Sequence, residues 1–281
     1  MIQDILPDVL NNHFEPLQPE GGDRVILFRE DRLLTRYDEA AEAFTFPSWA
    51  DFRGDETVVY LFSVSGVHYF LVFESEALPE GYELLTLREM RGKPQRSNTA
   101  VMAAFTAWHL YQWYRTSRFC GACGTPTEFD SAERAMVCPK CGSKIYPRIN
   151  PAVIVGVRNG DRLLLTRYRE GYGHNAMIAG FTEIGETLEE TVQREVMEEA
   201  GLKVKNITYY KSQPWGIAAD VLMGFYCDVD GDDTIHRDDS ELKYAAWVRR
   251  EDIVLQPDSL SLTNEMMAKF KGGSKFGVCS S

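Results

Sequence analysis

The chain has 281 residues, enough for two domains with their own cores or for one large domain. Hydrophobic residues make up 44% and aromatic residues 12%, which excludes a disordered chain, and no apolar run reaches the roughly 18–20 residues that a membrane span needs. The formal net charge of −12 argues against a broad nucleic-acid-binding surface, because an acidic protein repels phosphates at long range.

Residues 1–115 are predicted to form a small mixed α/β domain. The first ten residues contain two acids and no basic group, so they lack the pattern of a secretory signal, and we expect a cytoplasmic protein. Short β-like runs occupy residues 24–28, 58–63 and 67–73. An apolar stripe predicts a helix from about Asn98 to Arg115. By itself this segment indicates no function.

Four of the six cysteines stand in two Cys-x-x-Cys pairs within residues 116–146, whereas Cys227 and Cys279 stand alone. The pairs are separated by fourteen residues and consist of Cys120, Cys123, Cys138 and Cys141. In a cytosolic chain this spacing indicates metal binding rather than disulfides. Four thiolates fill a tetrahedral zinc site and leave no open position, so we predict structural zinc. A nucleic-acid-binding ribbon is the alternative, which the acidic charge weakens.

Residues 147–281 alternate predicted strands and helices. Asn159-Gly160 suits a tight hairpin turn between two β-like runs. A helix is predicted from Thr187 to Ala200, and Gly201 is placed to end it. Further strands are predicted near 204–211, 221–227 and 244–248, and a last helix from about Ser261 to Phe270. This third segment is predicted to be a separate domain.

The helix predicted from Thr187 carries an acidic face. Glu195, Glu198 and Glu199 are spaced i, i+3 and i+4, so all three lie on one side of the helix. Like charges at this spacing destabilise a helix by about 0.2–0.5 kcal/mol per pair, and a hard divalent cation such as magnesium or manganese would offset the repulsion. A solvated acidic surface without any ligand is the alternative for these three residues taken alone.

The wider segment resembles the Nudix box, G-x5-E-x7-R-E-U-x-E-E-x-G-U, where U is aliphatic. The fixed positions are matched by Gly180, Glu186, Arg194, Glu195, Val196, Glu198, Glu199, Gly201 and Leu202. The resemblance implies an α+β chain with a Nudix α/β/α sandwich, preceded by the zinc ribbon and the N-terminal domain. It also implies metal-dependent hydrolysis of a nucleoside diphosphate linked to a second group. Glu195, Glu198 and Glu199 would hold magnesium or manganese.

The catalytic residues implied by this resemblance are Glu199, Glu198 and Arg194. Glu199 is our first choice for the general base and Glu198 the second, and Arg194 would hold a carboxylate in place. Gly180 and Gly185 are expected to allow a tight loop that approaches a phosphate closely before the helix begins.

A zinc ribbon directly before a Nudix domain resembles the bacterial NADH pyrophosphatase family, which also carries the segment Ser212-Gln213-Pro214-Trp215. The substrate-binding residues implied by this resemblance are Glu133, Tyr146, Phe181, Gln213, Pro214, Trp215 and Glu241. It further implies that the Ala179 carbonyl and Glu241 are metal ligands. Thr263 and Arg88 match family positions only loosely. Core packing is the alternative for Phe181 and Trp215, and a solvated surface role for Glu133 and Glu241.

The residues after Trp215 depart from the family, which continues Pro-Phe-Pro where this chain has Gly216-Ile217-Ala218. The first hypothesis is hydrolysis of NADH or NAD+ to AMP and nicotinamide mononucleotide, and an NAD cap on RNA offers the same bond. The second is a broader hydrolase for ADP-ribose or other dinucleotides. The third is a binding module without activity. Family members are commonly homodimers, and this resemblance alone predicts a dimer.

Overall fold

The structure is a computed structural model that describes residues 1–170 and 173–273, so Cys279 lies outside the described residues. The chain divides into two compact units. One contains residues 2–148 together with 215–219, and the other contains Met1, residues 149–214 and the chain from Asp220. The three-domain division at residues 115 and 146 stays a prediction.

A seven-stranded sheet forms the larger part of the first unit. Its strands are β1 (Leu10–Asn11), β2 (Arg24–Arg29), β3 (Arg32–Asp38), β4 (Ala43–Thr45), β5 (Val58–Val64), β6 (Val67–Val72) and β7 (Glu83–Thr86). They are ordered β1-β5-β6-β2-β3-β4, with β7 paired to β3. The predicted strands correspond to β2, β5 and β6, whereas β1, β3, β4 and β7 were missed.

Two α-helices follow this sheet, α1 (Leu87–Gly92) and α2 (Thr99–Thr116). The long helix was predicted within one residue at each end. It is apolar on several sides rather than along one stripe, since ten of its side chains are buried. The ring of Tyr111 in α2 stacks on the ring of Phe28 in β2, with 4.9 Å between the two centroids.

A three-stranded antiparallel sheet carries the cysteine quartet. Its strands are β8 (Glu128–Phe129), β9 (Met136–Val137) and β10 (Lys144–Ile145), in the order β10-β9-β8. These two-residue strands bury little apolar area, which is typical of a segment that needs a metal to hold it together.

A six-stranded mixed sheet forms the centre of the second unit. Its strands are β11 (Asn150–Asn159), β12 (Arg162–Tyr168), β13 (Ile178–Phe181), β14 (Val204–Trp215), β15 (Asp220–Val229) and β16 (Leu242–Arg249). They run β14-β15-β11-β12-β16, with β13 paired to β11. Gly160 sits in the β11–β12 turn with φ 62°, as its Asn-Gly sequence predicted.

The two remaining helices cover opposite faces of this sheet. Helix α3 (Leu188–Ala200) packs on alternate residues of β11 such as Val153, and α4 (Leu262–Lys271) packs on the intervening ones such as Ile154. Because side chains alternate along a strand, one strand supplies both cores. The predicted α/β/α sandwich is therefore present.

Candidate functional site

Helix α3 is fixed at both ends by its own sequence. The Thr187 hydroxyl accepts the Glu190 amide at 3.2 Å, and the Glu190 carboxylate accepts the Thr187 amide at 2.8 Å. Gly201 ends the helix in the left-handed conformation, φ 67°. Val192 and Val196 are fully buried. These contacts determine which way the acidic face of the helix points.

Glu199 is the buried member of that face, with 3% of its surface exposed. Its Oε1 accepts the backbone amide of Ala179 at 3.3 Å, and its Oε2 is buried with no hydrogen-bond partner among the described residues. Burial raises the pKa of Glu199 to about 8, and the charges of Glu195, Glu241 and Asp238 add to the shift. A buried carboxylate oxygen without a partner is the position where a cation would bind.

Glu195 lies against Gly180 of β13. A Cβ atom on residue 180 would come within 2.0 Å of the Glu195 carboxylate, so a side chain there would displace Glu195 from this position. Burial raises the pKa of Glu195 above its usual value although Arg194 acts in the other direction. The expected loop role of Gly180 is wrong, because the residue stands in a strand and its function there is to accommodate Glu195.

Arg194 holds the carboxylates on the exposed side of the helix. Its Nε and Nη2 donate to the two oxygens of Glu186 at 2.6 and 2.9 Å, and Nη1 donates to Glu195 at 2.7 Å and Glu198 at 3.0 Å. Nη2 also donates to the Phe181 carbonyl at 2.8 Å. The hydrogen bonds from Arg194 lower the pKa of Glu186 to about 2. The predicted pairing of Arg194 with a carboxylate is present.

Glu241 and Tyr168 complete this region. Glu241 is exposed, and its charge acts on both Glu195 and Glu199. Tyr168, at the end of β12, has a pKa raised by burial and by the charges of Glu199, Glu241 and Glu195. The sequence offered no signal for Tyr168, because its place near the carboxylates follows from the pairing of β12 with β16.

The carboxylates fit a hard divalent cation by the chemistry of their oxygens, by the unpartnered Oε2 of Glu199 and by the space that Gly180 leaves. They converge less than the thiols: within residues 1–170 and 173–273, only the cysteine quartet brings three or more potential ligand atoms within 4.8 Å of one another. Like charges repel, and Arg194 holds Glu195 and Glu198 on its own side.

The cysteine quartet has the geometry of a closed zinc site. The Sγ–Sγ distances are 3.5 Å for Cys123–Cys138, 3.6 Å for Cys120–Cys141 and 3.8 Å for Cys123–Cys141. Tetrahedral zinc with bonds of about 2.3 Å requires sulfurs about 3.8 Å apart. The quartet therefore fits structural zinc with no position open to substrate.

The two knuckles of the ribbon repeat one backbone pattern. In each, the fourth residue after the first cysteine is a glycine with positive φ, Gly124 at 70° and Gly142 at 72°. Their amides donate to the carbonyls of Cys120 and Cys138 at 2.8 and 2.9 Å. Hydrogen bonds with the Thr125 hydroxyl and amide lower the pKa of Cys123 to about 6, which favours the thiolate that binds metal.

Glu133 and Tyr146, both predicted to bind substrate, lie side by side in the first unit. The Tyr146 hydroxyl donates to Glu133 Oε1 at 3.1 Å, and Lys144 makes a short contact with the same oxygen. The Tyr146 side chain is 53% exposed. Lys144 was not predicted as a site residue; its side chain and that of Tyr146 reach the same oxygen of Glu133.

The Ser-Gln-Pro-Trp segment ends strand β14, four residues beyond its predicted end. Gln213 is fully buried: its Nε2 donates to the Leu260 carbonyl at 2.8 Å, and its Oε1 accepts the Leu262 amide at 2.7 Å. Both amide atoms thus hold the start of α4. Pro214 is exposed. The substrate roles of these residues stay predictions, and the geometry gives Gln213 a structural task.

Trp215 groups with the first unit. Its ring meets Phe105 of α2 edge to face at 5.4 Å, and the Arg91 guanidinium lies 5.3 Å from the ring centroid. A Cβ atom on Gly216 would lie 2.0 Å from the Phe105 carbonyl oxygen. The glycine that departs from the family pattern is therefore required by the passage of the chain along α2.

The other predicted residues are placed as follows. Phe181 ends β13 and is 52% exposed, so its ring is open to a ligand. Thr263 is half-buried in α4, and Arg88 is exposed on α1. No helix among the described residues is both long enough and apolar enough to span a membrane.

Comparison with known families gives two matches. Residues 148–270 match the NUDIX domain, and residues 115–146 match the NADH pyrophosphatase zinc ribbon domain.

Relatives of known description cover part of the chain. The NAD-capped RNA hydrolase NudC of Salmonella heidelberg (strain SL476) is 43% identical over 149 residues, and that of Klebsiella pneumoniae (strain 342) is 44% identical over 152 residues. Each alignment covers 53% of this chain and 58% of the relative, so the chain matches little more than half the length of these proteins. A NUDIX hydrolase structure from Nitrosomonas europaea aligns with TM-score 0.49 and 21% identity over 55% of this chain and 90% of that one.

Proposed function

We propose that this chain, which contains an NADH pyrophosphatase zinc ribbon at residues 115–146 and a NUDIX domain at residues 148–270, hydrolyses the pyrophosphate bond of NADH or NAD+. The products are AMP and nicotinamide mononucleotide. The same bond joins nicotinamide mononucleotide to the 5′-terminal adenosine monophosphate of NAD-capped RNA, so the proposal includes NAD-capped RNA, the substrate named for the relatives. The predicted homodimer and cytoplasmic location stay predictions.

One observation carries the proposal. Glu199 is 3% exposed, and its Oε2 has no partner among the described residues, although leaving a buried polar atom unpaired costs about 1–3 kcal/mol. Such a group is retained where a ligand satisfies it. Glu195 beside Gly180 and the Ala179 backbone supply neighbouring oxygens.

Each residue has a separate task in this proposal. Glu195, Glu198, Glu199 and the Ala179 carbonyl would hold magnesium or manganese, which would supply charge stabilisation at the phosphates and an activated water. Arg194 keeps Glu195 and Glu198 in position through its planar guanidinium. Glu199 is also the first choice for the general base, because its Oε2 has no partner among the described residues and can accept a proton. The exposed ring of Phe181 offers a surface for a base to stack on.

The test is hydrolysis of NADH, NAD+, ADP-ribose and NAD-capped RNA with magnesium and then manganese. We expect AMP release from NADH in the wild type, and a loss of roughly 10²–10⁴-fold in kcat for Glu199→Gln, the range that a general base contributes. Glu189→Gln is the matched control, because Glu189 is an exposed glutamate on the first turn of the same helix. Unchanged activity in Glu199→Gln would contradict the proposal.

A second candidate is a broader hydrolase that acts on ADP-ribose. It is favoured by the packing of Trp215 and Gly216 within the first unit, which gives these residues a structural role in place of a nicotinamide pocket. A kinetic comparison of NADH with ADP-ribose decides between the two. Equal or better kcat/KM for ADP-ribose supports this second candidate, and tight RNA binding without any hydrolysis supports an inactive binding module.

A further inference from the structure

We propose that Lys144 is a positioning residue that fixes the Glu133 carboxylate and the Tyr146 ring as one recognition element for the substrate. This inference rests on the proposed function. It assigns a task to a side chain that no motif singles out. The ligand it serves is a planar ring that carries a hydrogen-bond donor, as the carboxamide of nicotinamide and the amino group of adenine do.

Lys144 connects two carboxylates of the ribbon. Its Nζ lies 2.8 Å from Asp130 Oδ2 and makes a short contact with Glu133 Oε1. The Tyr146 hydroxyl donates to the same Glu133 oxygen at 3.1 Å. A single oxygen of Glu133 thus accepts both neighbours, and a side chain with several rotamers is held in one place.

Asp130 holds this arrangement in place through hydrogen bonds within its own loop. Its Oδ1 accepts the amides of Ala132 at 2.8 Å and Glu133 at 3.3 Å, and its own amide donates to the Ala135 carbonyl at 3.0 Å. The loop between β8 and β9 is therefore closed on itself. Lys144 draws Glu133 toward the one carboxylate of the loop that is already anchored.

The ribbon sheet sets the position of Lys144. In β10, Lys144 pairs with Val137 and Ile145 pairs with Met136. Tyr146 follows directly after this strand, and both side chains reach the same oxygen of Glu133. The Cys138 amide donates to the Ser143 carbonyl at 2.9 Å, which ties the start of β10 to a zinc-ligand cysteine.

This geometry leaves a defined surface for a ligand. Glu133 Oε2 has no hydrogen-bond partner among the described residues, so it can accept one N–H or O–H group. The half-exposed Tyr146 ring beside it is a stacking surface. The hydrogen bonds with Asp130 and Glu133 raise the pKa of Lys144, so the ammonium stays charged and offsets the repulsion between Glu133 and an anionic dinucleotide.

The experiment compares Lys144→Met and Lys144→Arg with Lys140→Met. Lys140 is a matched control, because it is an exposed lysine of the same ribbon with no ion pair among the described residues. We expect Lys144→Met to raise the KM for NADH by roughly 5–10-fold with kcat within 2-fold, and Lys144→Arg to restore most of the loss. Zinc content and Tm are expected to stay near the wild-type values, because the ion pair is solvent-exposed.

A double-variant cycle separates positioning from general charge. If Lys144 acts through Glu133, Lys144→Met adds no further loss to Glu133→Gln. An equal loss in both backgrounds, or an unchanged KM in Lys144→Met, overturns the proposal. A comparison with ADP-ribose, which contains adenine but no nicotinamide, identifies the ring. A rise in KM confined to NADH indicates that the element binds the carboxamide, and a rise in KM for both substrates indicates that it binds the adenine amino group.

Failure of the proposed function has a different signature. Absence of hydrolysis by the wild type overturns that function, whereas the role of Lys144 is measured separately by calorimetric binding of NADH to Glu199→Gln and to Glu199→Gln/Lys144→Met. A weaker Kd in the double variant supports positioning, and an equal Kd overturns it.

Discussion

The zinc ribbon and the acidic face of α3 differ in whether their ligand groups leave a position open. In the ribbon, the four thiols lie at zinc-ligand distances and would fill one tetrahedral site. In the second unit, Glu199 and Asp220 are buried, and each keeps one oxygen without a partner among the described residues. One zinc ion would satisfy all four thiolates with no position left for substrate, whereas a carboxylate oxygen that the protein leaves unpaired can take a further ligand.

The two regions also differ in how far apart their parts lie along the chain. The four cysteines fall between residues 120 and 141 and sit on one small sheet. The carboxylate site combines β13, α3 and the segment before β16. Local spacing therefore specifies the first site, and the pairing of distant strands specifies the second.

The largest effect that sharpens this comparison is expected in the ribbon. Cys138 is 1% exposed, and Cys138→Ser removes one of four ligands from a site whose occupation contributes about 10–16 kcal/mol in zinc peptides. We expect loss of stoichiometric zinc, measured by metal analysis, and increased proteolysis between residues 116 and 146. Cys227→Ser is the control, because Cys227 is a buried cysteine of the second unit outside the ligand group and should leave the zinc content unchanged.

Zinc retained at one equivalent by Cys138→Ser would contradict the closed four-thiolate site. Retained zinc would also break the distinction between a closed zinc site and a carboxylate site that keeps an unpaired oxygen.

An intermediate effect is expected at Arg194. Its guanidinium contacts three carboxylates and one carbonyl in a fixed plane, which a lysine ammonium cannot reproduce. We expect Arg194→Lys to lower kcat/KM by about 10–100-fold, since misplaced ligands commonly have effects of this size. The control is Arg249→Lys, an exposed arginine whose pair with Glu251 spans 3.9 Å. Equal activity of Arg194→Lys and the wild type would mean that the carboxylates hold their places unaided.

Sequence patterns predicted the elements that depend on neighbours in the chain. The bounds of α3, with Gly201 at its end, and the Asn159-Gly160 turn were predicted from local spacing. They did not predict β13, because four residues of ordinary composition become a strand only by pairing with β11.

The site residues were likewise predictable only where they lie close together in the sequence. The three glutamates and Arg194 follow from spacing on one helix. The burial of Gln213 against Leu260 and Leu262 joins residues 47 and 49 positions apart, and no local pattern contains that contact. The requirement for glycine at position 216 likewise depends on the carbonyl of Phe105.

The smallest expected effect concerns Asp220, the second buried carboxylate of the comparison. It is 6% exposed, and burial raises its pKa to about 6 from the usual 3.8, although a hydrogen bond with Asn150 acts in the other direction. Because the folded-state pKa is the higher one, the folded protein binds the proton more tightly. The destabilisation is therefore absent below about pH 4, grows up to about pH 6 and is constant above it.

Asp220→Asn removes this ionisation while keeping the size of the side chain. We expect the variant to be more stable than the wild type at pH 7 by up to about 3 kcal/mol, from 1.36 kcal/mol per pKa unit, and the advantage to shrink toward pH 4. Urea unfolding at pH 4, 5, 6 and 7 measures it, with the exposed Asp161→Asn as control. If the difference in unfolding free energy between wild type and Asp220→Asn stayed constant over this range, the charge of Asp220 would not destabilise the folded protein. Of these two buried carboxylates, only Glu199 would then lower the stability of the second unit.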